Sequence, residues 1–223
     1  MTKTLASMFS WLFGIPRFRC YEDSYARSRE GMLAGVRDAL QNRMEKGEKF
    51  LIVTHFADAF SEIQDKLADW GFDYQINSAK LNASAAKQLV LDSNSQIVLS
   101  LSGLLQFEAT SDSFDSENKI CVMVLEMHPG GKLDDELQQF CRSIPCHIEM
   151  GYFLSFEDAV LSPLVGDSTL KILDMFGMGE NELVTSNMVS RRLKYALKHN
   201  AWYYTTDHPA DSAAEWMQVN KRP

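Results

Sequence analysis

Three short apolar runs constrain this chain more than any other feature: LIVTHF at 51–56, QIVLSLS at 96–102 and KICVMVLEM at 119–127. None shows the strict polar alternation of a strand with one wet face. Strands that are apolar on both sides must be covered on both faces, as in a parallel sheet between layers of helices. The segments between the runs have the period such helices need. Tyr25, Met32, Leu33, Val36, Leu40 and Met44 recur at helical spacing and predict a helix over Ser24–Lys46, stopped at Gly47. Phe56, Ala59, Phe60, Ile63, Leu67 and Trp70 predict a second, with Gly71 just past its end.

The rest of the chain extends the pattern. DYQIN at 73–77 and MGYFLSF at 150–156 read as further strands, and Ala83–Leu91 and Leu133–Arg142 as helices. EATSDSFDSEN at 108–118 is polar and aperiodic and reads as an exposed loop. Ser155, with Asp158 three residues later, has the form of a capping pair and predicts a helix start there. Beyond Pro163 the pattern is helical, over 169–176, 187–203 and 211–219. Strands alternating with helices imply right-handed crossovers and a parallel sheet. The expectation is an α/β domain over 15–165, an amphipathic segment over 1–14 and a helical tail over 166–223.

Charge narrows the partners. The 223 residues carry a formal net charge of −8, which disfavours neutralising a phosphate backbone, so no nucleic-acid partner is expected. The one dense basic stretch is Arg191, Arg192, Lys194 and Lys198. Four cysteines are too few for a disulfide scaffold. Cys121, Cys141 and Cys146 lie in or beside apolar runs, as reduced thiols of a cytoplasmic protein would. Cys141, Cys146 and His147 lack the second tight ligand pair of a structural zinc site, so no metal is expected. No run of about 18 apolar residues exists to span a bilayer. In residues 1–14, Leu5, Met8, Phe9, Leu12 and Phe13 share one helical stripe. A helix docked on the domain and a peripheral membrane or partner contact are both open for it; a signal peptide is disfavoured by the single Lys3 and the missing small-residue cleavage site.

Catalytic signals are sparse. A nucleotide-binding sheet of this class ordinarily has a glycine-rich turn after its first strand, but LIVT runs into HFADAF, without a glycine. Gly130-Gly131-Lys132 lacks the earlier glycine of a phosphate loop, and Leu133 stands where that loop has a hydroxyl, so a turn is expected. His55 follows a strand and would sit at the sheet's carboxyl edge, where such sheets bind ligands, yet a lone histidine there reads as a hydrogen-bonded structural residue. Glu157 and Asp158 read as helix N-terminal charge rather than an acid/base couple. No Ser, His and Asp set stands out.

The carboxyl half carries a more specific signal. YFLSFEDAVL at 152–161 and MFGMGENELVTSNMVSRRLKYALKHN at 175–200 resemble the end of the second nucleotide-binding domain of the SecA preprotein translocase ATPase family. Phe153-Leu154-Ser155, Glu157-Asp158, Gly177-Met178, Glu182 and Met188-Val189-Ser190 carry the match in the family's order. Ile15-Pro16-Arg17, Lys46-Gly47, Ser61-Glu62, Leu67, Gly71, Asn77 and Ala79-Lys80 extend it through the amino half. The resemblance implies a RecA-like α/β domain of the helicase C-terminal type, with Asn187–Asn200 as the start of the family's scaffold helix.

The departures from that family bear on function. Its glycine, arginine and aspartate run after the TIAT strand is LSLSGLLQFEAT here, with Gly103 the surviving equivalent. Its arginine-bearing QLRGRSGRQGDPG run is QQFCRSIPCHIEMG, with Arg142 matching the first arginine and Ile144-Pro145 in the region of the second. An arginine finger contributes roughly 10³–10⁵ in rate to phosphoryl transfer, so its loss should abolish hydrolysis. The motor domain that holds the phosphate loop has no counterpart in this sequence. The resemblance therefore implies a degenerate, non-catalytic motor-domain homologue that binds a protein partner near the export machinery, in the cytoplasm or peripherally at the membrane. Arg142 and Gly103 are the candidate ATP or ADP contacts, and Leu5, Phe9, Leu12, Phe13, Arg191 and Arg192 the candidate partner or membrane surface. One half of a split ATPase completed by a partner chain is the alternative.

Overall fold

The computed structural model describes residues 17–108, 112–166, 171, 179 and 182–222. The segment 1–14, with Leu5, Phe9, Leu12 and Phe13, and all but one position of the helix expected over 169–176 lie outside them.

The strands are β1 (Phe18–Cys20), β2 (Ser24–Ala26), β3 (Lys49–Thr54), β4 (Tyr74–Ile76), β5 (Ile97–Leu101), β6 (Asp115–Val124), β7 (Cys146–Ser155) and β8 (Val184–Thr185). They form one sheet in the order β4-β5-β3-β6-β7-β2-β8, with β1 also on β7. Every pairing is parallel except that of β2 with β8. The helices are α1 (Arg29–Met44), α2 (Ala57–Asp69), α3 (Ala83–Asp92), α4 (Lys132–Ser143), α5 (Asn187–Asn200) and α6 (Ala213–Val219). This is the α/β architecture expected, a parallel-dominated sheet flanked by helices.

The unbroken apolar runs have a direct cause. Alternate side chains of β3, Leu51 and Val53 against Phe50 and Ile52, enter two different cores, and β5 and β6 do the same. One core is closed by Met32, Val36, Leu40, Ile63 and Leu67 of α1 and α2. The other is closed by Ala83, Ala86 and Val90 of α3 and Leu137 and Phe140 of α4. Each fully buried aliphatic contributes roughly 1.5–3 kcal/mol, so a strand with a polar face could not replace these.

Four expectations need correction. The first helix begins at Arg29, capped by Ser28, whose hydroxyl accepts the Gly31 amide; Ser24–Ala26 is a strand along β7, and Tyr25 is buried as a core residue there. The supposed loop 108–118 ends in β6, which starts at Asp115. At Ser155 the capping bonds form, Ser155 N–H to Asp158 Oδ2 at 3.0 Å and Glu157 N–H to Ser155 Oγ at 3.1 Å, but they close a turn with no α-helix behind it. The tail is not wholly helical, because β8 adds a two-residue antiparallel edge too short to show a period.

Candidate functional site

The carboxyl ends of β3, β5 and β6 deliver His55, Ser102 and Glu126 to one place, because parallel strands release their following residues at the same edge. Helix α4 supplies Asp134 from its first turn, and α1 supplies Arg29 from its own. The wholly buried His55 ring is held between Ser102 Oγ, 2.8 Å from Nδ1, and Asp134 Oδ1, 3.2 Å from Nε2. Burial pulls its pKa down, but the Asp134 charge and hydrogen bond outweigh that and raise it. The Ser, His and Asp set that the sequence did not display is therefore present, drawn from three separate segments.

Glu126 fills the anion position of this edge. Its Oε1 accepts the amides of His55 at 2.7 Å and Phe56 at 3.0 Å, at the N-terminus of α2, where a bound phosphate would otherwise sit. Burial drives its pKa up to about 7 despite the nearby His55 and Arg29. The N-terminus of α4 lies at the same edge. Gly131, at φ 70°, supplies its left-handed cap, and Asp134 Oδ2 accepts the His128 amide at 2.9 Å. The Gly130-Gly131 stretch is a turn, as expected. The start of α2 thus abuts the Glu126 carboxylate, and α4 carries Asp134 in its own first turn, bonded to the His55 ring and the His128 amide.

A cleft of about 440 Å³ opens beside them, lined by Arg29, Asp58, Glu62, Glu126, Asp158 and Ser212 among others. Arg29 bonds Glu62 at 2.6 Å, Asp158 at 3.1 Å and the Leu125 carbonyl at 3.2 Å, and its amide donates to Glu157. Asp158 is consequently an ion-pair partner of Arg29, while Glu157 accepts the first amide of α1, so the two serve the start of α1 rather than a helix of their own. Burial raises the Asp158 pKa against the pull of Arg29.

The chain's own carboxyl end covers this edge. Asp58 N–H reaches the Asp211 carbonyl at 3.1 Å, and the Trp216 ring meets the His128 ring edge-on at 4.6 Å. Any side chain at Gly130 would press on Trp216, so the turn and its cover fit closely. The buried Asn220 ties the cover together, accepting from Thr206 Oγ1 and the His208 amide and donating to the His208 and Trp216 carbonyls. His128, stacked on Phe56 under this cover, has its pKa lowered to about 4, chiefly by burial and then by His55.

The two candidate nucleotide contacts are not brought together. Gly103 lies exposed in the 3₁₀ turn after β5, at the carboxyl edge. Arg142 lies in the last turn of α4, at the amino edge, with its guanidinium 4.5 Å over the Phe18 ring. Arg191 and Arg192 are both exposed on α5, while Lys194 pairs with the buried Asp23 at 2.9 Å. Cys121, Cys141 and Cys146 are buried free thiols, with burial raising all three pKa values. At the amino end of the sheet, Glu48, Cys121 and Glu149 present possible ligand atoms within 4.8 Å of one another. Arg43 bonds all three and Lys119 bonds Glu48 and Glu149, so two cations already stand where a metal would.

Among the described residues, no helix is long and apolar enough to cross a membrane. No family model matches the chain. The chain is 21% identical over 180 residues to the protein translocase subunit SecA of Clostridium botulinum, in strains Hall, ATCC 19397 and Okra. That alignment covers 79% of this chain but 21% of those proteins, so the chain spans about a fifth of the relatives' length. Among solved structures, the C-terminal domain of a possible DNA helicase from Lactobacillus plantarum WCFS1 aligns with 69% of this chain and 83% of its own, at 14% identity and a TM-score of 0.37.

Proposed function

We propose that the chain is a non-catalytic relative of the second SecA motor domain, acting as a protein-binding or regulatory module linked to protein export, in the cytoplasm or at the membrane surface. One observation carries this reading. At the edge of the sheet where a nucleotide phosphate would bind, Glu126 takes two amides at the start of α2, carboxylates line the cleft and Trp216 covers it. A triphosphate would have to displace a buried carboxylate from two amides and enter a cleft in which Asp58, Glu62, Glu126 and Asp158 face one arginine. Desolvating an anion beside other anions is strongly unfavourable. The similarity to SecA supports the parentage, and the separation of Arg142 from Gly103 is what a domain released from nucleotide binding would tolerate.

Calorimetric titration with Mg-ATP and with ADP tests the reading. No saturable heat is expected at millimolar nucleotide. Micromolar binding that disappears in Arg142→Ala would overturn it, as would hydrolysis restored by a co-purified chain carrying a phosphate loop, the outcome the split-ATPase alternative requires.

A further inference from the structure

Helix α5 has two faces of opposite character. Its inner face is anchored by buried Val189 and Leu193, by Ser190 Oγ accepting from the Tyr25 hydroxyl at 3.1 Å, and by the Lys194–Asp23 pair. Its outer face exposes Met188 and Tyr195, at 59 and 70% of their surface, and Trp202, in the 3₁₀ turn Ala201–Tyr203 that follows the helix, is 76% exposed. These three stand seven residues apart. Such a spacing drifts by only about 20° per heptad on an α-helix, so Met188 and Tyr195 share one line along α5, and Trp202 follows in the turn after it. Arg191, Arg192 and Lys198 flank the line, exposed and without an ion pair among the described residues, and His199 stacks on Tyr195 at 5.3 Å. No acidic residue occurs between Glu182 and Asp207, in a chain whose net charge is −8.

We propose that this face docks an acidic amphipathic helix of a partner protein. The inference deepens the binding-module reading and rests on it. Met188 and Tyr195, one heptad apart, with Trp202 in the turn beyond them, offer large side chains that a second helix can cover, each entering a gap between the partner's side chains. The exposed cations on either side select a partner by charge, so the matching helix carries Glu or Asp beside its apolar residues. A bilayer surface would call for an apolar stripe about 100° wide, whereas this one is a single residue wide and bordered by arginines. Nucleic acid would bring phosphates to the three cations but also to the acidic remainder of the molecule, and heptad spacing gives base stacking no advantage. Two copies pairing through this face would set arginine against arginine.

The test uses the full chain and a labelled synthetic helix with leucine at heptad positions and glutamate on both flanks, followed by fluorescence anisotropy. Micromolar affinity is expected, falling at high salt and weakened by about tenfold or more in Arg191→Glu/Arg192→Glu and in Tyr195→Ser. Arg191→Lys/Arg192→Lys, which keeps the charge, should retain binding, and circular dichroism of each variant separates lost binding from lost fold. The proposal is overturned by an affinity no better than that of the same helix with lysine for glutamate, or by indifference to the arginine substitutions. It is equally overturned if phosphatidylserine vesicles or a single-stranded oligonucleotide bind these residues more tightly, if the chain dimerises through them, or if removing residues 1–14 is what uncovers the face. Nucleotide binding by the chain would defeat the non-catalytic reading while leaving peptide docking measurable, so the two fail separately.

Discussion

Helix α1 carries an arginine at each end, and the two sit in opposite electrostatic situations. At the carboxyl edge of the sheet, Arg29 faces Glu62, Asp158 and Glu126, and burial wins: Glu126 is pushed up to about 7 and Asp158 upward. At the amino edge, Arg43 and Lys119 share Glu48 and Glu149, and the cations win: Glu48 is held down to about 2 and Glu149 is lowered, although burial alone would raise both. The same fold therefore contains a balanced ion network and an acid-rich one. A balanced network is structural in character. The acid-rich one is held by backbone amides, a neutral-leaning glutamate and a protein cover in place of further cations.

Removing the single cation of the acid-rich edge should therefore cost the most. Arg29→Ala strands Asp158 and Glu62 beside Glu126, and breaking a largely buried pair costs about 3–5 kcal/mol, reduced here by the partial exposure of Glu62. A loss of about 3 kcal/mol in urea unfolding is expected. Arg43→Ala should lose less, about 2 kcal/mol, because Lys119 remains on both carboxylates. Equal losses would show that the two edges do not differ as described.

The pH response separates the edges by sign. Glu126 has a folded pKa of about 7, above its unfolded value, so its contribution is full below about pH 4.5 and is lost as pH rises toward 7. Glu48 is depressed to about 2, so its contribution is present above about pH 4.5 and is lost as pH falls toward 2. Glu126→Gln keeps an oxygen for the His55 and Phe56 amides and removes the titration. Its stability relative to the parent should rise between pH 4.5 and 7, by a few kcal/mol at most. Melting curves across that range check it; parallel profiles would mean that Glu126 is ionised throughout.

What was legible in the sequence follows from burial geometry. The strands β3, β5 and β6 could be read because both of their faces enter apolar cores, and α2 and α4 because one face does. Strands β1, β2 and β8 have three, three and two residues, and their pairing with β7 and with each other leaves no local period. The site was illegible for a different reason. His55, Ser102, Glu126 and Asp134 come from four segments, and nothing local marks a hydrogen bond across 47 or 79 residues. One signal was available. Arg29 stands in the first turn of α1, where a cation opposes the helix dipole, and such a residue implies carboxylates from elsewhere. The pairing of Glu157 and Asp158 with it was the missing half of that inference.

Helix α4 spans both edges and offers the smallest test of their difference. Its start at the acid-rich edge depends on Gly131 at φ 70°, a conformation that costs a side chain about 1 kcal/mol, and the Gly131 amide also donates to the His128 carbonyl at 2.9 Å. Its end at the balanced edge holds Arg142 over Phe18, an exposed cation–π contact contributing about 0.5 kcal/mol. Gly131→Ala should thus destabilise by about 1 kcal/mol and shift the His128 ring under Trp216, which Trp fluorescence would register. Arg142→Ala should cost about half as much and leave that fluorescence unchanged. If Arg142→Ala were instead the more damaging change, the carboxyl end of α4 would hold a role in the domain that its single ring contact does not account for.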